Sequence, residues 1–276
     1  MCNRHFTFIC HSANKILFAV LLCFVAFNAN NFLFAQLPNH GCDHFSYCGG
    51  NPPTWVTKTK IIPVPGHPFC YAKVEYQEAD NCPLYMNVIK ISNIQYMGGC
   101  QNLLTQIYPF GINGPPNEIV LRQLYGEIQK VILGELMEEE FSEVTDPVEI
   151  EKWYCTKPDG TPNNHYGLWQ QGILTGACMS LCTAYLEDNN DPSKYIIAHK
   201  YLDCVENNCC SMVHWYCIDR NTNKAVFLQG QSINHGLNNS DCVATPKPTC
   251  PIFSVPGHTV RSSHSGDCQF TCPEAN

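Results

Sequence analysis

Hydrophobic and polar positions change their period twice along this chain. Residues 54–62 (TWVTKTKII), 69–77 (FCYAKVEYQ) and 84–97 (LYMNVIKISNIQYM) are rich in β-branched and aromatic side chains and are separated by Pro, Gly and Asn-Asp clusters, which predicts three strands. In the second, Cys70, Ala72, Val74 and Tyr76 alternate with Tyr71, Lys73, Glu75 and Gln77, so one face is expected to be buried and the other wet. After Gly98-Gly99 the period lengthens. Residues 100–107 (CQNLLTQI) have helical spacing. After Gly114-Pro115-Pro116, a longer helix is expected from about Asn117 to Phe141, where Leu121, Leu124, Ile128, Val131, Ile132 and Leu136 form one stripe to pack on the sheet.

Strand-like segments then return at 148–155 (VEIEKWYC), 177–186 (ACMSLCTAYL), 194–204 (KYIIAHKYLDC), 210–219 (CSMVHWYCID) and 224–231 (KAVFLQGQ). The loops PDGTPNN and EDNNDPS supply turn chemistry between them, and the last two strands are expected to form a hairpin across RNTN. The tail from Cys242 is proline-punctuated and reads as extended, and it would fray without cysteines to hold it. The expected fold is α+β: an antiparallel sheet with one long packed helix in the N-terminal half, and a disulfide-rich antiparallel β meander in the C-terminal half. The regions divide at 36–145 and 146–276. The acidic run Glu135, Glu138, Glu139, Glu140, Glu143, Asp146, Glu149 and Glu151 reads as a solvated helix end and linker, with calcium or a basic partner as the alternative.

The first residues change how the cysteines are read. Arg4 and Lys15 precede a twelve-residue apolar run, Ile16 to Phe27, which is shorter than the roughly 20 residues of a membrane span. Residues 1–35 therefore read as a signal peptide cleaved before Gln36, with a site nearer Ala29 as the alternative. A lipoprotein reading through Cys23 is disfavoured by Leu22 before it. Removing Cys2, Cys10 and Cys23 from nineteen cysteines leaves sixteen, an even set. Removing Arg4 and Lys15 from sixteen basic residues leaves fourteen against twenty-four acidic ones. That balance argues against nucleic acid and anionic membrane surfaces as partners. No other segment is apolar enough to span a membrane, and the expected location is secreted or periplasmic.

In that compartment Cys42, Cys48, Cys70, Cys82, Cys100, Cys155, Cys178, Cys182, Cys204, Cys209, Cys210, Cys217, Cys242, Cys250, Cys268 and Cys272 are disulfide candidates. The densest stretch, CVENNCCSMVHWYC at 204–217, has the content of a metal or redox site but no Cys-x2-Cys, which disfavours zinc and thiol oxidoreductase chemistry. Cys70 with Cys82, Cys178 or Cys182 with Cys204, and Cys268 with Cys272 are the pairings suggested by segment ends. Five cysteines fall in the first region and eleven in the second, so complete oxidation within one chain requires a bridge between the regions. A free thiol in each is the other solution.

No Gly-x-Ser-x-Gly elbow, His-Glu-x-x-His, phosphate loop or dinucleotide fingerprint is present. Ser265 in SHSGDC resembles a serine nucleophile only faintly, and DRNTN (Asp219 to Asn223) lacks the glycine and the final glutamate of a calcium loop. VPGH, at 64–67 and 255–258, reads as a shared turn, and Asn238 heads a glycosylation sequon. His199 and His214 fall on expected strands with no partner spacing for a ligand or base. Neither a cofactor nor a metal is expected. The Phe-Ala before Gln36, the VPGHPFC lead-in to a strand, the CC-x3-HWYC-x-D hairpin and the closing CQFTCP together resemble uncharacterised cysteine-rich exported bacterial proteins. That resemblance implies export and carries no activity. The expected function is an exported, disulfide-stabilised structural or binding protein without catalytic activity, meeting a protein or glycan ligand through aromatics such as Trp55, Trp153, Trp169 and Trp215. The alternative is a secreted hydrolase of unfamiliar family, with His165, His199, His214 and the acidic run converging on a cleft.

Overall fold

The computed structural model describes residues 55–79, 88–163, 170–176, 178–204, 209–234, 242 and 246–270. The expected signal peptide, Cys42, Cys48, Cys82, Cys272, His165, Trp169 and Asn238 lie outside them.

The elements, in chain order, are β1 (Trp55–Pro63), β2 (Cys70–Ala79), β3 (Val88–Gly98), α1 (Gln101–Ile107), α2 (Glu118–Glu143), α3 (Pro147–Trp153), β4 (Gln170–Gly176), β5 (Cys178–Asp188), β6 (Tyr195–Asp203), β7 (Cys209–Ile218), β8 (Ala225–Asn234), β9 (His258–Ser265) and β10 (Gln269–Phe270). The alternation in β2 is realised: Cys70, Ala72, Val74 and Tyr76 are buried, while Tyr71, Lys73 and Glu75 are exposed. All ten strands join one sheet, antiparallel except for a short parallel contact.

That sheet forks at β3. One edge of β3 pairs along its length with β2, which pairs with β1. The other edge is shared. Ile94, Gln95 and Tyr96 pair antiparallel with β6, while Val88 and Ile89 run parallel to β4. One branch continues from β6 to β5, which then meets both β9 and β10. The other continues from β4 through β7 to β8.

Helix α2 serves both branches. Asn117 caps it by accepting a hydrogen bond from the Val120 amide, and Glu118 places an acid in the first turn, where the helix dipole favours it. Leu121, Leu124, Ile128, Ile132, Leu133, Leu136 and Met137 are buried in a core shared with Val74, Ile94, Tyr96, Ile197 and Tyr216. Near its start, Tyr125 packs its ring 4.4 Å from that of Tyr201 on β6. Further along, the Lys130 carbonyl accepts from the Tyr216 hydroxyl of β7 at 3.0 Å. Gly134 then lies beside Ala225 and Tyr216, where an added Cβ would make ordinary van der Waals contact.

Two expectations are corrected around the end of this helix. Residues 148–155 do not form a strand, since 147–153 are helix α3. Pro147 stands in its first turn and the Asp146 carboxylate accepts from the Val148 amide, a capping arrangement that outweighs the β-branched Val148 and Ile150. Nor is the acidic run only a solvated linker, although Glu139, Glu143, Asp146 and Glu151 are exposed. Glu135 and Glu139 pair with Lys60 of β1, Glu138 accepts from Lys224 and from the Ala225 amide, Glu149 pairs with Lys152, and Glu151 pairs with Arg220.

Strands β4, β9 and β10 were not evident in the sequence. The tail from 246 covers the sheet face opposite α2, with Phe253, Cys250 and Val255 against Cys182, Ala184, Leu186, Ile196 and Ala198.

Replacing Ile128 by Ala is expected to cost about 2–5 kcal/mol of stability in urea unfolding with the bridges intact. The same change at exposed Ile119, on the opposite side of the helix, is expected to cost less than about 0.5 kcal/mol.

Candidate functional site

The cysteine-dense stretch forms cross-links. The described bridges are Cys70–Cys100, Cys155–Cys217, Cys178–Cys242, Cys182–Cys250 and Cys204–Cys268, and Cys210 is disulfide-bonded as well. The pairings suggested from segment ends are therefore corrected: Cys70 takes Cys100 and not Cys82, Cys178 and Cys182 take partners in the tail and not Cys204, and Cys268 takes Cys204 and not Cys272. Proximity in sequence misleads because the sheet sets these distances. Cys178 and Cys204 sit at the paired ends of β5 and β6, with the Cys204 amide donating to the Cys178 carbonyl, and each then reaches a different part of the tail. The sulfurs of Cys178, Cys204 and Cys268 lie within 4.8 Å of one another because two bridges stand side by side. Oxidised sulfur is not the thiolate a zinc ion binds.

The two described candidate histidines sit in separate buried environments. His199 on β6 is opposite Ile94 of β3 and Thr183 of β5, with its ring 5.3 Å from that of Tyr96 and 5.6 Å from that of Tyr201. His214 on β7 packs against Tyr216 and Phe227. None of the four ring nitrogens has a hydrogen-bond partner among the described residues. Burial pulls His199 down to about 3, and burial followed by the nearby Lys130 charge pulls His214 down to about 4. Both are neutral and hold almost no proton affinity at neutral pH, a poor state for a general base. The hydroxyls of Tyr96 and Tyr201 and the Nε2 of Gln129 are also buried without a partner among the described residues, and burial raises both tyrosines. Beside them the Arg122 guanidinium lies 5.8 Å from the centre of the Tyr201 ring.

Ser265 is not a nucleophile elbow. It lies opposite Cys182 at the end of β9, whereas His264 lies opposite Thr183, so the two project from opposite faces of the sheet. The following Gly266 is clamped to β5, its amide donating to Leu181 and its carbonyl accepting from Ser180. In DRNTN the Asp219 carboxylate accepts from the amides of Asn221 and Thr222 and from the Thr222 hydroxyl. It closes the β7–β8 hairpin loop with its own backbone.

A different feature faces solvent. Both VPGH segments make the same turn, with Gly66 at φ 74° and Gly257 at φ 76°. The first runs directly into Phe69, which adopts φ 69°, a backbone region that is costly for a bulky side chain. This conformation is held from below. Gly99 donates its amide to the Phe69 carbonyl at 2.8 Å, and a Cβ at Gly98, itself at φ 88°, would lie 2.9 Å from that oxygen. Cys70–Cys100 locks the same corner. Phe69 is 79 % exposed, Tyr71 on β2 is 46 % exposed, and Ile61, on β1 opposite Lys73, is 62 % exposed. The expected tryptophans fare differently. Trp153 is buried against Phe141, and Trp55 and Trp215 are half-buried. Sequence reasoning overlooked Phe69. Its signal was the pairing of a Pro-Gly turn with a downstream Gly-Gly.

Peptide mapping without reduction is expected to recover the five bridged pairs, with no alkylation at any of these ten cysteines. In the pH profile, each histidine titrates near 6.5 when unfolded and well below that when folded. The unfolded chain therefore binds more protons below pH 6.5, and stability must fall as pH drops, by up to about 1.4 kcal/mol per pH unit per histidine. His199→Phe should flatten the slope between pH 6.5 and 5, above the range where the lowered Asp159, Asp191 and Asp219 contribute. A comparison of the chain with protein-family models, with curated proteins and with solved structures finds no match.

Proposed function

We propose that this is an exported, disulfide-stabilised binding protein without catalytic activity, and that it meets its protein or glycan ligand through the corner formed by Phe69, Tyr71 and Ile61. The observation that carries this reading is the strained, covalently locked backbone that holds the Phe69 ring in solvent. Strain persists only where its surroundings over-determine it, and such positions gather at ligand sites. A rigid aromatic ring gives large contact area at small entropic cost, which is why such rings dominate binding energies. Export is supported by the leader-like first residues and by bridges suited to an oxidising compartment. No helix among the described residues is long and apolar enough to cross a membrane.

The hydrolase alternative asks for an acid and a base in one cleft. His199 and His214 have aromatic neighbours, and Glu135, Glu138, Glu139, Glu149 and Glu151 of the run are engaged with Lys60, Lys224, Lys152 and Arg220. His264 lies 3.9 Å from Glu118 and opposite Thr183, while Ser265 projects from the other face of the sheet.

The test is retention of the exported protein on insoluble cellulose, chitin and peptidoglycan and on immobilised denatured protein, comparing the natural chain with Phe69→Ser. Retention on one of these matrices, weakened about tenfold or more in the variant at unchanged stability, is expected. Equal retention of both proteins would reject the Phe69 surface. Turnover of fluorogenic ester, peptide or glycoside substrates that disappears in His199→Gln would reject the non-catalytic reading.

A further inference from the structure

Taking a guanidinium out of water is costly unless its charge is paired and its N–H groups are hydrogen-bonded. Arg122, one turn into α2, meets only the first condition. Its side chain is 23 % exposed, yet Nε and Nη2, the two nitrogens of one edge of the plane, are buried with no hydrogen-bond partner among the described residues. Glu118 comes within 3.6 Å of Nη2, close enough to offset the charge and too far to accept a hydrogen bond. The carboxylate of Glu118 is engaged elsewhere. Its Oε2 accepts from Gln269 of β10 at 3.0 Å, and its Oε1 fits against Gly266, where an added Cβ would stand 2.3 Å away.

The groups next to the buried edge share its need. Tyr201, over whose ring the guanidinium lies, contacts His199, and His199 contacts Tyr96. Tyr96 and His199 are fully buried, and both hydroxyls and both imidazole nitrogens are without partners among the described residues. Phenols and a neutral imidazole each donate and accept, so they can serve one another. The guanidinium edge only donates, which leaves the cluster short of acceptors.

We propose that this edge binds one carboxylate group of a small organic acid, taken side-on by Nε and Nη2 of Arg122, with the Tyr201 hydroxyl as a further donor. Two parallel N–H bonds in one plane match the two oxygens of a carboxylate, whereas a water molecule or a neutral carbonyl brings a single oxygen. A doubly charged oxyanion such as sulfate also brings several oxygens, but Glu118 at 3.6 Å repels it twice as strongly as it repels a carboxylate. The acid enters beside His264, which is 38 % exposed and lies 3.9 Å from Glu118. This site belongs to α2 and β6, apart from the Phe69 corner on β1 and β2, so the two proposals stand or fall independently.

The experiment follows the Nε–H resonance of Arg122 in nitrogen-labelled, oxidised protein, identified by its absence from Arg122→Lys. Sodium formate and sodium acetate are titrated at constant ionic strength, with sodium chloride, sodium sulfate and acetamide as controls. A saturable shift with at least one carboxylate, half complete at about 1 mM or below, is expected, with no comparable shift from the controls. Arg122→Lys keeps the charge and loses the planar edge, so the rise in unfolding temperature with that carboxylate should need about tenfold more of it or greater. Phe69→Ser should respond as the natural chain does. Absence of a saturable shift with both carboxylates would overturn the proposal and leave water as the occupant. An equal response to chloride, sulfate or acetamide would overturn it as well, marking an adventitious ion or solute only. Both readouts use the natural chain and hold even if Arg122→Lys fails to fold. A well-folded Arg122→Lys with natural affinity would overturn it too.

Discussion

The structure depends on one helix covering two diverging branches of a sheet. Because β3 gives part of its second edge to β6 and part to β4, among the described residues the branches have no hydrogen-bonded strand between them beyond those contacts. The stripe from Leu121 to Met137 brings them into a single core. The helix is pinned at both ends by polar contacts that leave this stripe undisturbed. Glu118 receives a hydrogen bond from Gln269 of β10 and pairs with Arg122 at the start, while Lys60 and Lys224 engage the acids at the finish. Acidic side chains near a helix C-terminus oppose the dipole at some tenths of a kcal/mol each, and cations supplied by β1 and the β7–β8 loop offset that opposition.

Covalent bonds accomplish what apolar burial does not at the tail. Strand β9 is mostly polar and buries little, so hydrophobic gain alone is a weak reason for it to add to β5. Three bridges tie the segment from 242 to 268 to β5 and β6, with sequence separations of 64, 68 and 64 residues. In the chain-entropy model a bridge of that span removes about 4 kcal/mol of unfolded-state freedom. The values do not add for bridges sharing one segment, but even one exceeds what a few exposed strand contacts contribute.

Much of this was legible in local pattern. The alternation in β2, the hairpin of β7 and β8, and the stripe of α2 are dictated by side chains that must reach one core, and each was read close to its observed limits. What was not legible depends on contacts distant in sequence. Strand β4 offers a short apolar stretch around a glycine, and β9 looks like a polar loop until β5 is placed beside it. Helix α3 was misread because β-branched residues dominate its period, although Asp146-Pro147 is a start signal visible in the sequence. The cysteines were recognisable as cross-links by density and compartment. Their pairing required the register of β5 with β6.

The Phe69 corner shows how a local cost identifies a surface. Asparagine or glycine would adopt φ 69° with less strain, and both would remove the exposed ring. Folding stability alone gives no reason to keep a phenylalanine there, because a ring 79 % exposed gains little from burial. Yet three features converge on keeping that backbone fixed: the Gly98-Gly99 approach, the amide bond from Gly99, and the bridge from Cys70 to Cys100. Each of them acts on the backbone of residue 69 or its neighbour, and none of them buries the ring. What the arrangement secures is the direction in which an aromatic side chain meets solvent, and a fixed direction has value for a surface that meets a partner.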